Sequence, residues 1–191
     1  MENRLLIFSG PSGSGKTTIV HHLLKVFPDL VFSVSATTRS RRPNEKEGRD
    51  YHFLAEEDFL SRIKNHAFVE WEEVYEGVYY GTLKSEIEKI FSMGKIPVFD
   101  IDVKGGLNIR KKYSSSALAV IVVPPSLEVL QQRLKKRSTE THDSFKRRVS
   151  KAGEELSYAG QFDRVLMNTN LTVSLQEAEE IVREFLGRAN K

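Results

Sequence analysis

Lys16 and Thr17 end the stretch Gly10-Pro11-Ser12-Gly13-Ser14-Gly15-Lys16-Thr17, in which two glycines bracket four residues before the Lys-Thr pair. This is the Walker A pattern, and each residue type in it has a task in holding a phosphate chain. Glycines let the backbone curl with its N–H groups inward, a shape that side chains obstruct. An ammonium at Lys16 suits the β- and γ-phosphates of a nucleotide. A hydroxyl at Thr17 suits the Mg²⁺ that accompanies them. A helix starting at this point adds its positive end.

The pattern carries weight only between a strand and a helix. Arg4 to Ser9 is a short apolar run of strand length, and Ile19, Val20, Leu23, Leu24 and Phe27 recur at helical spacing. The context is therefore met, which argues against a glycine-rich turn that matches by chance. Pro11, Ser12, Ser14 and Thr18 are the remaining loop candidates for nucleotide phosphates.

The elements that must position this loop follow from periodicity. Val31–Ser35, Phe68–Val74, Val78–Tyr80, Ile96–Ile101, Leu118–Val123 and Arg164–Asn168 read as strands. Glu56–Asn65, Lys84–Met93, Lys104–Lys112, Ser126–Lys136, Phe145–Ala159 and Leu175–Leu186 read as helices, with Ser126 as an N-cap. Gly105-Gly106 weakens the third of these helices without removing it. Strand and helix alternate over much of the chain. This predicts an α/β fold, a P-loop NTPase core whose parallel sheet is flanked by helices. The stretch from Ser35 to Thr82 interrupts the rhythm and reads as an inserted substrate domain. The basic stretch around Arg133 to Arg148 reads as a small lid.

The 191-residue chain suits one domain carrying insertions. A charged fraction of 29% beside 39% hydrophobic is ordinary for a globular protein and indicates neither disorder nor a membrane protein. Without cysteine there are no disulfides, thiolate metal sites or thiol nucleophiles. No zinc spacing is present, and His21 and His22 point different ways on a helix. A net charge of +3 is too mild to demand nucleic acid, and small anionic substrates fit the clustered charges as well. The apolar amino-terminal run is too short for a signal-peptide core, and no run approaches a membrane span. An intracellular, cytoplasmic location is the expectation.

The arginines narrow the acceptor. Transfer onto an alcohol needs a base, whereas transfer onto a phosphate does not, because the acceptor oxygen is already ionised. The difficulty becomes bringing two polyanions together, and planar guanidinium forks address it. Arg39, Arg42, Arg133, Arg137 and Arg148 lie in two clusters around the expected core. They favour phosphoryl transfer onto a nucleoside monophosphate.

The chain resembles guanylate kinase. The resemblance is carried by Gly10 to Thr18, Ser35-Ala36-Thr37-Thr38-Arg39, Gly48-Arg49-Asp50-Tyr51-His52-Phe53 and Phe68-Val69-Glu70-Trp71. It continues through Tyr79-Tyr80-Gly81-Thr82, Asp100-Ile101-Asp102 and Arg133 to Glu140. These stretches run in the family's order over nearly the whole chain. The resemblance implies a core of residues 1–34, 83–125 and 160–191, a GMP-binding insertion over 35–82 and a lid over 126–159. It implies ATP and GMP as substrates, Mg²⁺ as cofactor and a role in purine nucleotide metabolism and GMP recycling. No nucleic-acid or membrane partner is implied, and oligomeric state and dGMP tolerance stay open.

The resemblance also assigns residues. Arg39, Arg42, Tyr51 and Tyr80 would hold the GMP phosphate, and Ser35, Glu70 and Thr82 would read guanine. Guanine presents adjacent N1–H and 2-amino donors that one carboxylate accepts together, which adenine lacks. Lys16 and Thr17 would handle ATP phosphates and Mg²⁺, and Arg133, Arg137 and Arg148 would close from the lid. Asn168 would lie on the adenine side. Asp100 and Asp102 would stand beside GMP and the metal-bound water, with their individual roles open.

Arg41 is an alternative to Arg42, because Arg41 and Pro43 flank Arg42 where relatives often have a simpler Pro-Arg pair. Tyr79 is an alternative to Tyr80, because Glu70 and Tyr80 are spaced one residue further apart than in many relatives. Trp71 is expected to pack for burial, and Glu72 and Glu73 to be solvated. Glu70 has the alternative of a solvated charge on a strand edge. Arg110-Lys111-Lys112 and Lys135-Lys136 read as surface charge. Two other readings compete: a noncatalytic interaction module, against which the intact glycine loop argues, and a kinase for dTMP, CMP or AMP.

Overall fold

The computed structural model describes residues 3–135 and 142–187. The chain forms β1 (Leu5–Ser9), α1 (Lys16–Val26), β2 (Leu30–Phe32), β3 (Ala36–Thr37) and β4 (His52–Phe53). It continues through α2 (Glu56–Lys64), β5 (Phe68–Tyr75), β6 (Val78–Leu83), α3 (Lys84–Ser92) and β7 (Ile96–Asp100). Then come α4 (Val103–Tyr113), β8 (Ala117–Val123), α5 (Leu127–Lys135), α6 (His142–Ser157), β9 (Arg164–Met167) and α7 (Leu171–Gly187).

Five strands make a parallel sheet in the order β2-β7-β1-β8-β9. Every residue of β1 and β8 is buried, as strands covered on both faces require. Their side chains alternate between two cores. Leu6, Phe8, Val120 and Val122 pack against Ile19, Val20 and Leu23 of α1 and Ala178 and Val182 of α7. Leu5, Ile7, Ala119 and Ile121 pack against Ile87 of α3 and Val103 and Ile109 of α4. This is the expected α/β fold, a central parallel sheet flanked by helices.

Residues between β2 and α3 form a second, four-stranded sheet, β4-β3-β6-β5, mostly antiparallel. Its core is small and aromatic: Phe59 of α2 stacks on Phe68 at 4.4 Å and on Tyr79 at 5.5 Å. A fourth cluster joins α5 to α6 through Leu130, Leu134, Phe145, Val149 and Ala152.

Some sequence expectations are corrected. The strand expected over Val31–Ser35 runs instead over Leu30–Phe32, and Ser33 to Ser35 cross to the two-residue β3 of the second sheet. α7 starts at Leu171, four residues before the expected Leu175, because Asn170 Oδ1 accepts from the Thr172 and Val173 N–H groups. Trp71 is 44% exposed rather than buried. Glu70 points inward from β5, so the pleat turns its neighbour outward. Among the described residues, no helix is long and apolar enough to cross a membrane.

Candidate active site

The glycine loop joins β1 to α1 at the carboxyl end of the sheet. Gly10, Gly13 and Gly15 all take positive φ, 139°, 88° and 100°. Gly15 is the left-handed cap of α1, and a Cβ there would run into the Asn168 side-chain amide. Asn168, at the end of β9, is buried and donates from Nδ2 to the Ser14 carbonyl at 2.8 Å. Arg133 of α5 donates to the Asn168 carbonyl at 2.9 Å and the Ser14 carbonyl at 3.4 Å. Both residues therefore brace the loop from behind. Arg148 of α6 reaches its front, donating to Ser12 Oγ at 3.1 Å.

The loop's functional side chains converge on the end of β7. Lys16 Nζ donates to the Gly10 carbonyl at 2.7 Å and lies 3.8 Å from Asp100 Oδ1. The Thr17 hydroxyl donates to Asp100 Oδ2 at 2.5 Å. Hydroxyl and carboxylate oxygens side by side are hard donors of the kind Mg²⁺ prefers.

Across a cleft of about 300 Å³ stands the four-stranded sheet. Ser35, Arg39, Arg42, Tyr51, Glu70 and Tyr80 line it opposite Gly15, Lys16, Thr17, Asp100 and Asp102. Glu70 is 7% exposed, and its Oε1 has no hydrogen-bond partner. Burial pushes its carboxyl up to about 7, with further push from Asp102 and Glu72 and an opposing pull from Thr82. Thr82 pairs with Glu70 in the β5–β6 register, and its Oγ1 is buried without a partner. Asp102 caps α4, accepting at Oδ1 from Gly105 N–H at 2.9 Å. Glu72 is half-buried rather than solvated; burial, then Asp102, push its carboxyl up to about 7.

Arg39 is the most constrained cation of this wall. Its guanidinium lies over the Tyr51 ring at 5.3 Å and the Phe53 ring at 5.8 Å. Nε donates to the Tyr80 hydroxyl at 3.2 Å, while Nη1 and Nη2 donate to Glu45 at 3.0 and 2.8 Å. Burial works against its charge, yet the bonds to Glu45 and Tyr80 raise its pKa above the ordinary value. Of the two open pairs, Tyr80 and Arg42 line the cleft, whereas Tyr79 stacks in the core of the insertion and Arg41 is exposed.

The structure brings together most of the residues singled out from the sequence. Thr82 lies one layer behind the cleft surface, Thr18 is exposed on α1, and Arg137 lies outside the described residues. Sequence reasoning missed Glu45, Lys151 and Glu155. The last two line the cleft from α6. Their spacing from Arg148 was the available signal, since residues three, four and seven apart share a helix face. Arg110 is not plain surface charge: it grips Asp163 at 2.7 and 2.9 Å and ties α4 to the start of β9.

A cleft that faces a phosphate-binding loop with arginines and a buried, under-bonded carboxylate can join two phosphorylated ligands and select one by its donors. Comparison with known proteins agrees. The family model described as guanylate kinase matches residues 2–185. A guanylate kinase of Bacteroides thetaiotaomicron is 47% identical over 188 residues, 98% of this chain and 92% of that protein. One from Thermotoga maritima is 43% identical over 183 residues, 96% of this chain and 87% of that protein. The crystal structure of guanylate kinase from Anaplasma phagocytophilum matches with a TM-score of 0.76 at 28% identity, covering 95% of this chain and 85% of that one.

Proposed function

The chain belongs to the guanylate kinase family and is an ATP:GMP phosphotransferase, and we propose that its cleft holds ATP at the glycine loop and GMP against the four-stranded sheet. The observation that carries this division is Glu70. A buried carboxylate with an unpartnered oxygen is costly unless a ligand supplies donors. Guanine's N1–H and 2-amino group supply two, and adenine lacks that pair, so AMP would leave the charge desolvated and unpaired. Thr82 and Ser35 would add hydroxyls at the base edge.

The phosphate of GMP would lie among Arg39, Arg42, Tyr51 and Tyr80. It is already an anion and needs no base, so the chain's task is to hold it in line with the donor. Lys16 and the loop N–H groups would bear the β- and γ-phosphates, and Arg148 would add charge from α6 as the cleft closes. Closure excludes water, which would otherwise accept the phosphoryl group. A kinase using ATP generally implies Mg²⁺; Thr17 would hold it beside Asp100, and when bound it neutralises the β- and γ-oxygens. We place this activity in the cytoplasm, where both nucleotides are found.

The test is a panel of GMP, dGMP, IMP, AMP, CMP and dTMP at equal concentration with ATP, on wild type and Glu70→Gln. Wild type should turn over GMP best. The variant should lose most of its preference for GMP over IMP, which lacks the 2-amino group, and keep its KM for ATP. Unchanged GMP kinetics in Glu70→Gln would sink the assignment.

A further inference from the structure

We propose that Glu45 is a positioning residue for the acceptor phosphate: it grips Arg39 by one edge, so that the guanidinium's Nε side and the Tyr80 hydroxyl are presented to the cleft together. The proposal rests on the reading that Arg39 receives the GMP phosphate. It concerns a loop residue that no periodicity or motif marks.

The grip is two-pronged. Glu45 Oε2 accepts from Nη1 at 3.0 Å and Oε1 from Nη2 at 2.8 Å. Both side chains are largely buried, 18% and 16% exposed. The same carboxylate accepts from the Arg42 N–H at 2.9 Å, and the Arg42 guanidinium lies 3.9 Å away. One side chain thus holds the Arg39 fork and the backbone at Arg42, while the Arg42 side chain itself is 62% exposed. The Tyr51 and Phe53 rings fix the plane of the Arg39 fork.

What remains outside that grip is informative. The Tyr80 oxygen accepts from Arg39 Nε at 3.2 Å, so its own O–H stays available to donate. A phosphate oxygen beside it would meet that O–H as a ready donor. An arginine has many rotamers, and fixing it before the ligand arrives moves that ordering cost from binding to folding. The opposite role is also definable. A carboxylate could compete with phosphate for the fork, and removing it would then tighten GMP. The two roles differ in sign.

The experiment compares Glu45→Gln, Arg39→Lys and the double variant in steady-state kinetics. Glutamine keeps one oxygen for the Arg42 N–H, and hence the loop turn, but puts an amide nitrogen against Arg39 and carries no charge. The expected result for Glu45→Gln is a rise in KM for GMP of about tenfold, with kcat and the KM for ATP within about twofold. Arg39→Lys should raise the KM for GMP as well, and adding Glu45→Gln to it should change little more. If Arg39→Lys leaves GMP kinetics unchanged, the reading of Arg39 falls and takes the proposal with it. If Arg39→Lys impairs GMP but Glu45→Gln leaves its KM unchanged or lowers it, only the proposal falls. The same holds if the two effects simply multiply, because Glu45 then does not act through Arg39. Should Glu45→Gln fail to fold, Glu45→Asp, a carboxylate one methylene short, takes its place in each arm with the same outcomes.

Discussion

Glu70 Oε2 stands 2.9 Å from where a Cβ on Gly105 would sit. The carboxylate that faces the cleft is therefore lodged against a point on α4 that has no side chain. Glycine here serves close approach, at a cost in helix propensity. Gly105→Ala should push Glu70 aside and raise the KM for GMP about tenfold while leaving the KM for ATP unchanged. The same Cβ would stand 2.8 Å from Ile101 Cδ1. Adding Ile101→Val relieves only that contact, so it should not restore GMP binding, whereas adding Glu70→Asp should restore part of it. Restoration by Ile101→Val alone would trace the defect to packing.

The raised pKa of Glu70 has opposite consequences for binding and for stability. On the proposed reading guanine is held by the ionised carboxylate, so the KM for GMP should fall as pH rises through about 7 and level off above it. For the ligand-free protein, the native state holds this proton up to about pH 7 and the unfolded chain only to about 4.5. Between those values the native state binds more protons, so this group's contribution to stability is lost as pH rises. Kinetics and melting of wild type and Glu70→Gln from pH 5 to 8 test both signs. The variant should show a flatter profile in each.

Lys16 touches the Gly10 carbonyl and faces Asp100, yet no core packing depends on it. Lys16→Ala should lower kcat by at least about a hundredfold and shift the melting temperature little. Release of ADP in a coupled assay gives the first number and a thermal melt the second. A large loss of stability with modest loss of turnover would assign Lys16 to the loop's architecture.

Arg110 and Asp163 join α4 to the edge of the sheet, away from the cleft, and Asp163 Oδ2 also accepts from the Ala119 N–H at 2.8 Å. Arg110→Ala leaves a half-buried carboxylate with one partner fewer and should cost about 1–2 kcal/mol. Denaturant unfolding measures it. Catalysis at a temperature well below the melt should be unchanged, which separates this arginine from those of the phosphate wall.

The sequence made the sheet legible because its strands are buried on both faces. Ala117 to Val123 is apolar throughout, and no amphipathic helix reads that way. The glycine loop was legible because backbone geometry restricts it to few residue types. Trp71 and Glu72 were misjudged when bulk and charge were weighed one residue at a time. The pleat decides both: Glu70 and Glu72 share a face turned inward, and Trp71 takes the other. Glu45 was out of reach, since the loop from Arg39 to Asp50 has no periodicity and its ion pairs follow from turns alone. Arg133 was legible as a cation near the site. Its partners, the carbonyls of Ser14 and Asn168, come from distant parts of the chain that no local pattern connects.

The brace between Asn168 and the glycine loop spans 154 positions of sequence. Ribosomes release a chain from its amino end, so the loop emerges long before the residue that supports it. At roughly 5–20 residues per second, the interval is about 8–30 seconds. During that time the residues of the loop are all present, but the fork of Gly15, Ser14 and Asn168 is not. A nascent chain arrested before β9 would therefore be a poor ligand for ATP although its motif is complete. If the loop holds ATP as proposed, nucleotide capture should be a late event of synthesis, timed by β9.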